Sequence, residues 1–331
     1  MSKNTPKQTR TNYQIIIFFF HEAKLDNKIL NCTTFKLVIM AGKIQTGYLV
    51  SYDYELLKTS LPTVYGESDE VFIAIDKNRN TWNGSSFSIN DSFFEWIKAF
   101  DIDKKVVIYE DDFYVPELTT MECEIRERKM LAEKMGIGNW IVQVDCDEYF
   151  VDFKKFVSDL RKYDSYLINP EKNPIQICAY WVMLYKYTTN GILYVDKPLK
   201  AIFATNFPNY KTGRRIKERQ IYTNNIVLHE SLSRTEDELR FKLENWGHNI
   251  DLDKGFLDKW IVVNENNYKV YKDFYYLQPK RWKSLGYFST KSIPQIKEII
   301  ENEKRLSVSK WYIFTKNFGQ WLKYLVKNKK R

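Results

Sequence analysis

Asp145, Asp147 and Glu148 close the stretch Asn139-Trp140-Ile141-Val142-Gln143-Val144-Asp145-Cys146-Asp147-Glu148-Tyr149-Phe150. An apolar, β-branched run that ends in acids reads as a buried strand whose carboxyl end faces a ligand site. Side chains alternate along a strand, which sends Asp145 and Asp147 the same way and turns Cys146 aside. Two converging carboxylates repel unless a cation lies between them, and a hard divalent ion carrying substrate phosphates meets that need. The competing reading makes Asp147 and Glu148 the start of a helix with Phe150, Val151, Phe153, Phe156, Val157 and Leu160 on its apolar face. The strand in front of them favours the site, since a bare Asp-x-Asp is a weak signal.

The elements that must position this strand end are legible around it. Strands are expected at 47–53, 71–76, 105–109 and from 141, and helices at 54–61, from 91, and at 121–135. Pro62 should stop the first helix, Asp91 should cap the second, and Gly136 should end the third. This alternation predicts an α/β fold with a wound, mostly parallel sheet. Beyond it come a helix at 150–163 and strands at 175–184, 192–195, 200–204 and 225–230. Thr235 and Glu238 form a capping box opening a helix that carries Leu239, Leu243 and Trp246 and ends at Gly247. His248, just beyond, suits a structural role, as does His21. Residues 250–290 are aromatic-rich without a readable pattern, and 293–305 reads as helix. The apolar runs at 15–20 and 35–40 suggest strands or packing segments.

Composition bounds the class. In 331 residues, a hydrophobic fraction of 44% supports a sizeable core. Cys32, Cys123, Cys146 and Cys178 lie far apart, which suggests neither a disulfide framework nor a zinc knuckle and points to a reducing cytoplasm. No apolar run reaches spanning length. The net charge is +9, and the segment from Lys304 onward holds Lys304, Arg305, Lys310, Lys316, Lys323, Lys327, Lys329, Lys330 and Arg331 without an acid. The rest of the chain is therefore formally neutral, unlike a nucleic-acid footprint spread over a fold. Trp311, Phe314, Phe318, Trp321, Leu322 and Leu325 recur at helical spacing among those lysines. Over 306–331 the pattern predicts an interfacial helix on an anionic membrane, the alternative being a helix packed on the domain.

The residues Val50-Ser51-Tyr52-Asp53, Ile73-Ala74-Ile75-Asp76, Arg128-Lys129 and 140–150 follow the order and spacing of family 2-like glycosyltransferases of the GT-A fold. The Asp-Cys-Asp-Glu-Tyr-Phe segment resembles their Asp-x-Asp-Glu subgroup, often found in bacterial surface-polysaccharide synthesis. The resemblance covers about residues 45–160 and departs in having Asp53 where Asn is usual and in its long N-terminal addition. It implies three regions: an extension at 1–43, a GT-A-like catalytic domain at 44–232, and a helical region at 233–331 with a basic amphipathic end.

Tyr52 and Asp76 would hold the base and ribose of a nucleotide-sugar donor, and Arg128 would meet its diphosphate. Asp145 would touch ribose or metal, Asp147 would ligate Mn²⁺ or Mg²⁺ directly, and His229 would complete the metal shell. Glu148 would hold donor or acceptor hydroxyls. Inversion, which the resemblance favours, needs a general base, for which Glu230 and Asp237 are the candidates. The basic loop at 209–219, with Gly213 at its centre, reads either as a lid over the diphosphate or as a solvated loop. The implied protein is a transferase acting on a saccharide or lipid-linked acceptor, cytoplasmic and peripheral at the inner face of the membrane. Its rivals are a non-catalytic GT-A-like scaffold and, less well supported, a nucleic-acid-binding protein.

Overall fold

A computed structural model describes residues 42–245, 252–303 and 306–328. The runs at 15–20 and 35–40, His21, Trp246, Gly247, His248 and the terminal Lys329-Lys330-Arg331 lie outside those residues. The described residues belong to one compact unit of α/β architecture.

Strand β1 (Ile44–Val50) is buried at all seven positions and sits between two parallel neighbours, β2 (Glu70–Asp76) and β4 (Trp140–Asp145). Parallel to β2 on its far side runs β3 (Val106–Asp111). Strands buried on both faces need a helical layer on each. Leu57, Leu61 and Val64 of α1 (Leu57–Val64) and Phe93 and Ile97 of α2 (Asp91–Phe100) pack with Tyr48, Val50 and Ile73 on one face. Leu131, Ala132 and Met135 of α3 (Thr120–Met135) pack with Leu49, Phe72 and Ile141 on the other. The approach of α3 depends on Gly47, where a Cβ would come within 2.9 Å of Leu131 and Met135.

The chain thus moves outward from β1 through β2 to β3, then returns to place β4 on the opposite side of β1. That reversal is a topological switch point, and it opens a crevice at the carboxyl ends of β1 and β4. Past β4 the sheet turns mixed. After β5 (Glu148–Phe150) and α4 (Phe153–Arg161), β6 (Ile175–Tyr187), β7 (Ile192–Val195) and β8 (Leu199–Thr205) form an antiparallel run, with β8 joined to β4. Strand β9 (Arg219–His229) pairs parallel with β6 and antiparallel with β5.

Helices α5 (Glu236–Asn245) and α6 (Phe256–Val262) follow. Phe256, Trp260, Phe274, Tyr276 and Trp282 then build a second core with Met183 and Tyr185 of β6. This organises the aromatic region that shows no periodicity. Strand β10 (Leu285–Phe288) pairs with β7, and α7 (Ile293–Asn302) and α8 (Lys310–Asn328) complete the described chain.

Four local expectations are corrected. Pro62 lies inside α1 and does not stop it. The proline forfeits one helical hydrogen bond, but continuing the turn buries Leu61 and Val64 completely or nearly so. Asn90, not Asp91, caps α2, accepting from Ser92 N at 2.9 Å. No helix begins at 150, because Glu148–Phe150 pair with β9 and the helix waits for Asp152, which accepts from Lys155 N at 2.8 Å. Asp147 and Glu148 therefore cap nothing. Finally, β9 starts at Arg219, so it takes in the end of the expected basic loop and the segment before 225.

Candidate functional site

At the switch point the structure encloses a cavity of about 300 Å³. The ends of β1 and β4 form its floor with Leu49–Asp53 and Asp145–Asp147. Other walls come from α3, the 212–215 loop, His229 at the end of β9, and Lys242 and Asn245 of α5. Tyr276 lines it too, so residues on both sides of position 233 build one site.

Four of its acids, Asp53, Glu124, Asp145 and Asp147, are matched by protein cations. Arg128 is 2% exposed, donating through Nη2 to Asp145 Oδ1 at 2.9 Å and through Nε to Glu124 Oε1 at 2.9 Å. Gln143 holds that helix turn by donating to the Arg128 carbonyl at 2.9 Å. Arg128 is thus neither solvated nor free. Burial alone would raise the pKa of Asp145, but Arg128 and Arg214 beside it outweigh that and hold it below the ordinary carboxylate value.

Asp147 is the most heavily compensated acid. Lys242 Nζ lies 2.6 Å and Arg234 Nη2 3.0 Å from its Oδ2, while His229 Nε2 is 3.4 Å from its Oδ1. Burial opposes ionisation here as well, yet Lys242, His229 and Arg234 together hold Asp147 well below the usual range. The ring of His229 packs on Trp181 with centroids 4.7 Å apart, and its buried Nδ1 has no hydrogen-bond partner among the described residues. Arg234 also reaches Asp53 at 3.2 Å, where burial, partly offset by that guanidinium, raises the carboxyl's pKa. Beside it, Tyr52 lines the cavity with its ring set edge-on to Phe241 at 4.9 Å.

The basic loop is pinned at two points and sends Arg214 inward, while Lys211, Arg215 and Lys217 stay exposed. Tyr210 and Ile216 anchor it in the core, and Gly213 takes φ +48°, a left-handed turn that glycine adopts without strain. That turn carries Arg214 inward to Glu148, with Nη1 at 2.7 Å from one oxygen and Nη2 at 2.5 Å from the other. The guanidinium also donates to the Gln143 carbonyl at 2.8 Å and lies over the Phe203 ring at 4.8 Å.

Four sequence assignments change. Glu148 is fully buried, bonded by Arg214, by Trp181 Nε1 at 2.8 Å and by Asp145 N at 2.9 Å, and has no capacity left for sugar hydroxyls. It anchors Arg214 and lines no part of the cavity. Asp76 does line the cavity, but Oδ1 accepts from the backbone of Asn78 and Asn80 and Oδ2 from that of Phe113 and Tyr114, at 2.9–3.2 Å. It fixes two loops and is not available to a ribose. Glu230 sits behind the wall, bonded by the hydroxyls of Tyr149 and Tyr187; burial raises its pKa and the two hydroxyls pull it back in part. Asp237 is exposed on the first turn of α5 and does not reach the cavity.

Several wall residues carried little signal in the sequence. Lys242 shares the buried face of α5 with Leu239 and Leu243, and a lysine on an apolar face was a clue. Arg234 directly precedes the capping box, where Thr235 N donates to Glu238 at 2.9 Å. Nothing local marks Trp82 and Glu127, which the fold brings together with Trp82 Nε1 donating at 2.6 Å.

The fold and site define an α/β protein with a mixed-charge crevice at its switch point. No family model matches the chain. It is similar to "Uncharacterized protein BBD18" of Borreliella burgdorferi (strain ATCC 35210 / DSM 4680 / CIP 102532 / B31), at 29% identity over 115 residues. The match takes in 34% of this chain and spans 51% of that protein.

Proposed function

We propose that the chain is a metal-dependent glycosyltransferase on a GT-A-like sheet, moving a sugar from a nucleotide-sugar donor to a saccharide or lipid-linked acceptor. The observation that carries this reading is Asp147 at the crevice floor, facing His229 through one oxygen and clamped by Lys242 and Arg234 through the other. Arg215 of the 212–215 loop and Lys242 of α5, which both line the cavity, suit a diphosphate.

The residues present fit a divalent ion. Asp147 Oδ1 and His229 Nε2, 3.4 Å apart, have the spacing of neighbouring ligands each about 2.1 Å from one Mn²⁺ or Mg²⁺. Among the described residues no group of three or more His, Cys, Asp or Glu side chains converges as a metal cage. An ion of this kind takes one or two protein ligands and completes its shell with water and substrate phosphates. When bound, it supplies Lewis-acid charge to the leaving diphosphate.

The protein's own part is electrostatic and geometric. Lys242 and Arg215 meet phosphate oxygens, and Arg234 holds Asp147 in place. The acceptor hydroxyl attacks the anomeric carbon as the bond to the diphosphate breaks, and the hydroxyl proton leaves with the released diphosphate and water, since neither Glu230 nor Asp237 lines the cavity. Nucleotide release from a panel of UDP-, GDP-, CDP- and ADP-sugars, with Mn²⁺ or Mg²⁺ and after chelation, tests the reading. One donor should turn over only with metal; a protein that neither binds nor turns over any of them ends this assignment.

We also propose that the protein is peripheral at an anionic membrane surface through α8. No described helix is long and apolar enough to cross a membrane. Helix α8 docks by a partly polar stripe, Ile313, Asn317, Gln320 and Tyr324, on β9. Its aromatic ridge consequently points outward, with Trp311 73%, Phe314 59% and Phe318 49% exposed, among lysines 310, 316 and 323. Apolar bulk ringed by cations matches the interface of an anionic bilayer. Phosphatidylglycerol vesicles should sediment the wild type, and Trp311→Ser with Phe318→Ser should cut the bound fraction at least about tenfold. Wild-type protein left wholly in the supernatant refutes the claim.

A further inference from the structure

A second cavity, of about 400 Å³, opens where the ends of the basic loop meet α8. Residues 212–215, in the middle of that loop, line the crevice. Lys211, Lys217 and Arg219 instead line the second cavity, with Lys172 from the segment before β6. Tyr324 of α8 closes one side, its hydroxyl donating to the Lys217 carbonyl at 3.4 Å. Against these four cations the lining sets two acids, Glu171 and Glu218, which leaves an excess of two positive charges.

Arg219 is the group whose needs the fold leaves open. It is the first residue of β9, partly buried and paired with Ile175 of β6. Its Nη1 donates to the Tyr166 hydroxyl at 2.9 Å, and the guanidinium lies 6.0 Å from the centre of that ring. Its Nε is buried and has no hydrogen-bond partner among the described residues. The crevice arginines Arg128, Arg214 and Arg234 each hold carboxylates. Among the described residues Arg219 holds only the neutral tyrosine. A guanidinium drawn partly out of water without a counter-charge gains most from an anion brought to it.

We propose that this second cavity binds a phosphate monoester, with Arg219 as its anchor. A guanidinium offers parallel N–H donors that match two phosphate oxygens, and Lys211 and Lys217 supply point charges at the mouth. A phosphomonoester carries about −1.5 to −2 at neutral pH, which balances the excess charge of the lining better than a single carboxylate would. The same group occurs on soluble metabolites and on the headgroup of phosphatidic acid, and α8 beside the cavity leaves both sources open. The site is separate from the crevice and stands whether or not the transferase reading does.

Two measurements on the full chain at constant ionic strength test this: calorimetric titration with inorganic phosphate, and sedimentation with vesicles of phosphatidic acid in phosphatidylcholine. The wild type should bind at least one of them, and Arg219→Gln should weaken that binding on the order of 10- to 100-fold. Lys217→Gln, at an exposed position, should weaken it in the same direction and serves if the Arg219 variant does not fold. Lys98→Gln removes the same charge from α2, outside the cavity, and should match the wild type. Phosphate held by Arg215 and Lys242 of the crevice is common to all four proteins and cancels in the comparison. A loss seen with inorganic phosphate supports the site and assigns it a soluble phosphomonoester; a loss seen with vesicles alone supports it and assigns a lipid headgroup. A wild type that binds neither, folded Arg219 and Lys217 variants equal to the wild type in both, or an equal loss in Lys98→Gln overturns the proposal.

Discussion

Arg214→Met should lower the stability of the fold by about 3–5 kcal/mol, more than any other single change at the site. Glu148 is completely buried, and Arg214 supplies both charge and two parallel hydrogen bonds to it. Methionine roughly fills the aliphatic part of the space over Phe203 but leaves a carboxylate in the interior with only Trp181 and one backbone amide. Removing one partner of a buried pair is costly because the other charge stays desolvated, whereas removing both is often tolerated. The double variant Arg214→Met with Glu148→Leu should therefore recover much of the loss. Chemical-denaturation midpoints of the three proteins would show it. A single variant within about 1 kcal/mol of wild type, the range of an exposed pair, contradicts a buried anchor.

Asp147→Asn should destabilise the fold by less than Arg214→Met, since Arg234 keeps Asp53, and should reduce donor turnover in the folded protein by a factor on the order of 10²–10³, as expected when several kcal/mol of leaving-group stabilisation are lost. Asparagine keeps the shape and an acceptor for Lys242 or Arg234, but it removes the negative charge that both cations and the proposed ion share. The variant should also lose the metal dependence of nucleotide binding, read by titrating UDP with and without Mn²⁺. Wild-type turnover in a folded Asp147→Asn protein would place the chemistry elsewhere.

The sequence made the floor of the site readable because the floor is made of strand ends. Periodicity and apolar runs set β2, β3 and β4 close to their observed bounds, with their closing acids visible as breaks in the pattern, while β1 begins and ends three residues before the expected 47–53. The distinction between a paired acid and an available one was not visible. Asp76 and Asp145 look alike in the chain, yet one organises two loops through backbone amides and the other lines the cavity between two arginines. Phe113, Tyr114 and Arg214 reach these acids from positions dozens of residues away and depend on tertiary placement. The same holds for Lys242, which meets Asp147 across 95 residues of chain. Arg214 was counted only as one charge in a basic loop, because nothing local announces that Gly213 will turn it inward. At Pro62, local propensity was overruled by the core beneath it.

The way α8 meets β9 has a consequence for self-association. The outer side of β9 near its start is a strand edge, and a bare edge is a template for pairing with another chain. Asn317 accepts from Tyr222 N at 2.8 Å and donates to Tyr222 O at 2.9 Å, and Gln320 accepts from Gln220 N at 3.2 Å. Two side-chain amides thus imitate an adjacent strand and close that edge without adding one. Cutting the chain before α8 would strip the aromatic ridge and also uncover the edge, so a truncated protein would tend to aggregate whatever its affinity for lipid. Point changes on the outward ridge leave Asn317 and Gln320 in place and separate surface attachment from guarding the sheet.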